Sequence, residues 1–516
     1  MTFVDPLFLL ILLPLILGLF DLAGRLTSRN GALIVLIVAS LGLYAPWGVI
    51  PLLLLIASMA INFAAAVVLV RLPDVRPRAR LLVLIAAQAY NFGSLALFKY
   101  ASFSGWSHDP LSAASVVIPV GISFYTFHQA AFLGDAYQRE LTVVALVDRL
   151  RLKSVEGAGY AAFVAFFPQL VIGPITLFRE VTVQFQRAGF GRIRYRNFAI
   201  GFAFLAIGAF KKLVVADGLA PIVDGVFDKA AWHDPIGSSE VLWGVVGYYL
   251  QLYFDFSGYS DMALGIARMF GITLPLNFDS PFRATSISDY YRRWHMTLTR
   301  VISRFLFTPL SLSGTRFAAR HGLTGVTGRL FALWLPLLIN FEVIGLWHGA
   351  LFTFIVFGLV HGLWYAIDSD VRQQQWWKRW RKASEPRIRA VLGHGLFLAI
   401  MPLTFALFRA DSIETFHYLC RCLFAFDWSG GPLTFGRMVA VRFLAAVGIV
   451  YLLPNSAEFL RRYRPALRIY QNISHTPQVL RWAWRPNWGW ALVLSGMAGW
   501  ALIDIARQPP FIYIGF

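Results

Sequence analysis

Two histidines stand apart from the other chemistry-bearing residues of this 516-residue chain: His295 in RRWH and His348 in GLWHGA. An imidazole titrates near neutrality and can take a hydroxyl proton in a dry site, so a chemical role for His348 is general base. Gly345 and Gly349 beside it allow close backbone approach between two long apolar runs. Position alone favours a blander reading, a core histidine hydrogen-bonded across helices, and the same reading applies to His128, His361 and His394. His108, His233, His321, His417 and His475 fall in expected loops. A second group is acidic. The run FDFSGYSD places Asp255 and Asp261, with Ser257, Tyr259 and Ser260 between them, inside an apolar stretch where carboxylates are costly. They either serve a site or pair with arginines of neighbouring helices to hold a bundle together.

Other chemistries lack their residues. There is no HExxH, and His295 and His348 lie 53 positions apart with no obvious third ligand, so no metal site is expected. Cys420 and Cys422 are too close together for a disulfide framework or a four-ligand zinc site. The absence of a P-loop, a GxGxxG and a serine elbow argues against an ATP-driven pump, a dinucleotide enzyme and a serine hydrolase.

The composition says what medium the elements around these residues occupy. With 58% hydrophobic and only 14% charged residues, the chain has too little charge to coat soluble domains, which carry about a quarter. Its net charge of +19 comes from Arg and Lys that punctuate apolar runs, which argues against a nucleic-acid partner and for a polytopic protein in a lipid bilayer. Runs long enough to span lie near residues 32 to 48, 49 to 70, 81 to 99, 116 to 134, 198 to 216, 241 to 267, 330 to 347, 350 to 367, 391 to 408, 438 to 453 and 488 to 505. A further run, Leu7 to Phe20, has no basic residue before it and no small-residue cleavage pattern after it, and reads as a retained span. Placing the N-terminus outside puts Arg25, Arg29, the cluster Arg71 to Arg80, and Arg139 to Lys153 in the cytoplasm. The connections near 101 to 115 and 218 to 239 carry few basic residues and fall outside.

Two segments break this regularity. Residues 158 to 178 are apolar enough to span but have basic loops on both sides, and Pro168, Gly173 and Pro174 interrupt them. They read as a re-entrant element, because broken backbone at membrane depth survives only when packed in protein or lining a water-filled cavity. From Asn277 to Leu310 a helical stripe of Ile287, Tyr291, Trp294, Leu298, Val301, Ile302 and Phe305 faces away from Arg293, Arg300 and Arg304, with His295 at its edge. This predicts an amphipathic helix at the cytoplasmic interface or inside a funnel.

Several long motifs then carry a resemblance: PVGISFYTFHQAAFLGDAYQRE (119 to 140), FFPQLVIGPI (166 to 175), YFDFSGYSDMALGIARMFGI (253 to 272), LNFDSPFRATSISDYYRRWHMTLTRVISRFLFTPL (276 to 310), GLWHGA (345 to 350), FRADS (408 to 412) and LPNS (453 to 456). In this order they resemble the membrane-bound O-acyltransferase (MBOAT) family, and within it the alginate O-acetyltransferase-like bacterial branch. The resemblance covers nearly the whole chain. His128 departs from the residue more usual in the first motif.

The resemblance implies an all-α polytopic protein, a single integral-membrane domain over 1–516. Its ring of about 11 to 13 transmembrane helices would enclose a central funnel, with the catalytic core at about 116–370 and C-terminal helices at 391–516. It makes His348 catalytic and His295 a second catalytic or substrate-positioning group. Asp255, Asp261, Arg283, Arg292, Arg293, Trp294, Asn340 and Trp347 become candidate substrate- and donor-binding residues. The implied activity moves an acetyl group from cytoplasmic acetyl-CoA across a bacterial inner membrane for O-acetylation of an exported polysaccharide, through a periplasmic SGNH-type partner. No cofactor would be bound permanently, and an acyl-carrier donor would suit the basic loops equally well. Cellulose, peptidoglycan or D-alanylated teichoic acid are alternative acceptors. A transporter or polymer channel is the reading from another class, against which stands the lack of paired halves.

Overall fold

Uncharged runs of Leu, Ile, Val, Ala and Phe become helices in lipid because a helix satisfies its backbone hydrogen bonds within one segment. The computed structural model describes residues 3–100, 119–149, 157–428, 435–467, 483–505 and 511–512. Arg151, Lys153, His108, His475 and the connection near 101 to 115 lie outside the described residues, as does the start of the expected span at 116. The long helices are α1 (Phe8–Leu26), α2 (Arg29–Trp47), α3 (Val49–Arg71), α4 (Pro77–Tyr100), α5 (Ile122–Tyr137), α6 (Tyr195–Ala231), α7 (Ser238–Met269), α8 (Gly325–His348), α9 (Phe352–Gln373), α10 (Pro386–Arg409), α11 (Arg437–Leu452) and α12 (Trp488–Asp504). Eight of them, all but α5, α7, α11 and α12, are long and apolar enough to cross a membrane. Part of the expected outer connection at 218 to 239 is helix instead, since α6 continues to Ala231.

The helices differ in what covers them. α5 is buried from Phe124 to Ala136 and α7 from Gly247 to Ala267, so protein and not lipid surrounds their polar side chains. α6 and α7, joined by residues 232–237, run antiparallel with their backbones nearly touching. A Cβ added to Gly201 would stand 2.5 Å from the Gly265 carbonyl oxygen, and one on Gly208 would stand 2.5 Å from that of Gly258. Small residues at these four positions bring the helices this close, as membrane helix pairs require.

The two carboxylates of FDFSGYSD are spent here. Phe210–Ala216 is a wider π-helical stretch of α6, and from it Lys212 reaches Asp255 and Asp217 at 2.7 Å each. Lys211 reaches Asp261 at 2.6 Å and the Ser456 hydroxyl at 2.8 Å. The partners are lysines of one neighbouring helix, not the arginines the sequence suggested.

The break expected at 158 to 178 is present. Gly157–Ala165 and Phe167–Leu170 are short helices, irregular backbone follows to Leu177, and Phe178–Phe185 resumes. Gly173 is obligatory there, since an added Cβ would lie 2.3 Å from the Pro168 carbonyl oxygen. The single amphipathic helix expected over 277 to 310 is corrected. It is split into Ile287–Tyr291 and a helix that starts at Met296 and runs through the π-helical stretch Ser303–Phe307 to Arg320, because His295 adopts the left-handed region at φ 43°, ψ 48°. Histidine enters that region more readily than most side chains, though still uncommonly. The predicted stripe is buried nonetheless at Ile287, Tyr291, Trp294, Leu298, Val301 and Ile302, with Phe305 half-buried. The two irregular segments dock on each other: the Ile175 amide donates to Thr297 Oγ1 at 3.0 Å and Arg300 pairs with Glu180.

Candidate functional site

The turn at His295 aims its ring inward, and a loop from the end of α7 receives it. The Met296 amide donates to the Asn277 carbonyl at 3.0 Å and the Asp279 amide to the Arg293 carbonyl at 2.9 Å, so residues 277–279 and 293–296 lie side by side. His295 Nδ1 is 3.0 Å from Asn277 Oδ1. That oxygen also accepts from the Thr297 hydroxyl at 2.9 Å, while the Asn277 amide group donates to Ser260 at 3.2 Å. The amide is thereby oriented with its oxygen toward the imidazole. His295 carries its proton on Nδ1, and Nε2 is the basic nitrogen.

His348 is the last residue of α8 and is almost entirely buried. Its ring packs at 4.8 Å on Phe408, at 6.2 Å on Phe354 and at 6.5 Å on Phe357. Trp347 joins the two histidines, its ring centroid 6.1 Å from His295 and 4.9 Å from His348. Phe256 closes the His295 side at 4.8 Å. The result is two imidazoles about one indole in an aromatic-walled, dehydrated setting.

Helix α8 ends against a cation. The carbonyls of a helix C-terminus lack intrahelical partners and attract positive charge. The buried Lys99 ammonium donates to the Trp347 carbonyl and lies 5.7 Å from its ring, and the Tyr100 hydroxyl donates to the Leu346 carbonyl. These contacts fix the end of the helix that carries His348. Lys99 and Asn277 were missed by sequence reasoning: Lys99 reads there as punctuation at the end of a span, and Asn277 lies within a quoted motif without being singled out.

Of the expected site residues, the structure brings together His295, His348 and Trp347. Trp294 is next to them in a ring cluster with Phe278 at 5.0 Å and Tyr290 and Phe405 at 5.4 Å each. The others stand elsewhere. Arg292 and Arg293 bind Asp289 at 3.4 and 3.1 Å. Arg283 holds the Leu453 carbonyl at 2.8 Å and faces Glu458 at 3.9 Å. Asn340 is half-buried on α8, with its Oδ1 unpaired among the described residues. Asp255 is inside the α6–α7 lysine cluster; Asp261, also part of it, shares a narrow cavity with Ser260 and Asn277. The LPNS motif acts as a clamp on this loop, since Asn455 bonds Asp279 at 2.7 Å and Ser456 meets Lys211 and Asp261. His361 is a core histidine as expected, bonded to the Tyr291 hydroxyl at 2.7 Å, whereas His394 is only half-buried, with Nδ1 2.9 Å from the Ala284 carbonyl.

An arrangement of this kind can take a proton from a hydroxyl and exclude water from an acyl intermediate. Comparison with known proteins agrees with that chemistry. Residues 128–369 match the membrane-bound O-acyltransferase (MBOAT) family. The chain is 35% identical to the peptidoglycan O-acetyltransferase of Helicobacter pylori over 334 residues, 60% of this chain and 62% of that one. It thus spans just under two thirds of that relative's length. It is 31% identical to the probable alginate O-acetylase AlgI of Azotobacter vinelandii over 463 residues, 88% of this chain and 84% of that one. A shorter match, 30% over 207 residues, links it to the teichoic acid D-alanyltransferase of Bacillus subtilis, covering 39% of this chain and 48% of that one. A multi-pass helical protein with two buried histidines about a shared tryptophan, matched along most of its length by such relatives, belongs to the membrane-bound O-acyltransferase family and is an acyltransferase.

Proposed function

We propose that the chain moves acetyl groups from cytoplasmic acetyl-CoA across the inner membrane, for O-acetylation of an exported polysaccharide through a periplasmic SGNH-type partner. The carrying observation is the pair His295 and His348 about Trp347, buried at the end of a helix whose terminus a lysine holds. In this reading His348 takes the proton of the acceptor hydroxyl as its oxygen attacks the thioester carbonyl. The carbon–sulfur bond then breaks, and the departing thiolate takes a proton to leave as coenzyme A. His295, held by Asn277, positions the reacting groups. Two of the named relatives, an alginate O-acetylase and a peptidoglycan O-acetyltransferase, support a polysaccharide acceptor. The orientation has the N-terminus outside, with the basic loops in the cytoplasm.

Purified protein in proteoliposomes, given acetyl-CoA labelled in the acetyl group, is expected to release coenzyme A and pass label to an acceptor on the opposite face. A protein that leaves acetyl-CoA intact but consumes a carrier-protein thioester would reject the donor. One that moves polymer without consuming any thioester would reject the reaction. Mass spectrometry of surface polysaccharide from cells with and without the protein identifies the acceptor.

The Asn277 contact makes a narrower prediction. Asn277→Ala releases the imidazole, and turnover is expected to fall roughly 10-fold to 100-fold, as for other orienting partners of a histidine. Asn277→Asp keeps the acceptor and restores much of the rate. It also moves the acid limb of the pH–rate profile upward, because a carboxylate stabilises the imidazolium. An unchanged profile in Asn277→Asp, with equal rates in both variants, removes Asn277 from the positioning role.

A further inference from the structure

A cavity of about 830 Å³ opens between the loop at 184–197, the end of α7 and the segment 457–467. Among the described residues, seven arginines line it and no carboxylate does. Those whose partners are visible use neutral ones: Arg187 donates to Gln184 Oε1 at 3.3 Å, Arg194 to the Ala188 carbonyl at 3.0 Å and Arg268 to the Thr273 hydroxyl. Arg196 lies 5.3 Å from the Tyr463 ring centroid. Arg461 and Arg464 come from the opposite wall, Arg464 in left-handed backbone at φ 46°. No described carboxylate forms an ion pair with any of the seven. Arginines gathered around a hollow repel one another unless an anion fills it, and the planar guanidinium matches phosphate with two parallel hydrogen bonds.

We infer that this cavity is a binding site for clustered phosphates, a ligand carrying two or more phosphate groups close together. Arg283, Arg292 and Arg293, which the sequence suggested for such a role, are committed to Glu458 and Asp289, whereas the cavity arginines are not paired with any described carboxylate. Leu276, on its wall, immediately precedes Asn277, the residue that holds His295. Two sources present this chemistry. One is the phosphorylated nucleotide end of the acyl donor, a source that rests on the donor reading above. The other is the two-phosphate headgroup of a cardiolipin-type lipid, which does not.

Binding of inorganic pyrophosphate and of adenosine 3′,5′-bisphosphate to protein in phosphatidylcholine nanodiscs tests the inference, alongside native mass spectrometry after exposure to cardiolipin. The parent is expected to bind at least one of the three. Arg461→Gln weakens that binding about tenfold, the Arg268→Gln/Arg464→Gln pair about a hundredfold, and Arg320→Gln, on an exposed helix, not at all. Size-exclusion profiles confirm that the variants are folded, and the single Arg461→Gln change keeps the test open if the pair is not. Bisphosphate that binds and competes with acetyl-CoA assigns the donor. Cardiolipin retained by the parent and lost from the variants, without bisphosphate binding, assigns the lipid. No binding of any probe by the parent, or equal binding by parent and folded variants, overturns the site. Pyrophosphate binding needs no turnover, so failure of this inference and failure of acetyl transfer are read separately.

Discussion

Replacing His348 by alanine is expected to lower acetyl transfer by at least roughly 100-fold while leaving a folded, membrane-inserted protein. A positioned general base contributes about 10² to 10⁴ in rate. His348 is the better placed of the two histidines for that role because it ends a helix whose last carbonyls are held by Lys99 and Tyr100. Its ring packs edge-on to Phe408 at 4.8 Å, so the side chain has little freedom to swing away from an acceptor. His348→Gln should fare no better than alanine, since an amide can bond a hydroxyl but cannot remove its proton. His361→Gln is the control: that histidine is buried equally well but serves a hydrogen bond to Tyr291. Turnover of labelled acetyl-CoA by detergent-purified protein, with acetate content of the surface polysaccharide as the cellular readout, decides the matter. Near-parental activity in folded His348→Ala would end the assignment.

The largest expected effect on stability belongs to Lys212. Its side chain is buried between two carboxylates, Asp255 and Asp217 at 2.7 Å each, and over the Phe511 ring at 4.6 Å. Lys212→Met leaves those carboxylates facing each other without a cation. Breaking a buried ion pair by removing one partner costs about 3 to 5 kcal/mol, and a protein of ordinary marginal stability loses most of its folded population at that cost. Replacing a whole buried pair with apolar groups is often neutral, so the double variant Lys212→Met/Asp255→Leu is expected to recover much of the loss. Thermal unfolding in detergent, read as a double-mutant cycle, measures the coupling. The double variant also tests a functional reading of Asp255. Parental activity per folded molecule makes that carboxylate a structural residue, whereas a stable but inactive double variant returns it to substrate binding. A single variant within about 1 kcal/mol of the parent would show that the cluster does not hold the helices together.

The membrane character of the chain was legible because the bilayer imposes a simple rule on composition, and helices such as Val49–Arg71 and Pro77–Tyr100 follow their apolar runs closely. The break near Pro168, Gly173 and Pro174 was legible too, since the prolines lack an amide to continue the ladder and glycine accepts irregular backbone at little cost. The turn at His295 was not. The apolar stripe from Ile287 to Ile302 keeps a helical period across a residue in left-handed backbone, because loop and helix bury the same face against the protein. Charge partners were equally hidden. A sequence shows that Arg293 is basic but not that Asp289 holds it, and nothing near Lys99 announces a carbonyl 248 residues away. The two histidines were visible as candidates. Their common neighbour Trp347 could be nominated, but its place between them required the fold.

The lysine–aspartate contacts between α6 and α7 also bear on the form in which this region enters lipid. A lone helix entering lipid with Lys211 and Lys212, or with Asp255 and Asp261, would carry a penalty on the order of 3 kcal/mol for each charge near its centre. The connection at 232–237 is short, and the helices are complementary along both the glycine seam and the charged contacts. Closing the contacts Lys211–Asp261 and Lys212–Asp255 offsets that penalty for both helices at once. The hairpin, with the ion pairs closed, is therefore the form of this region that lipid accepts at least cost, and either helix alone is not.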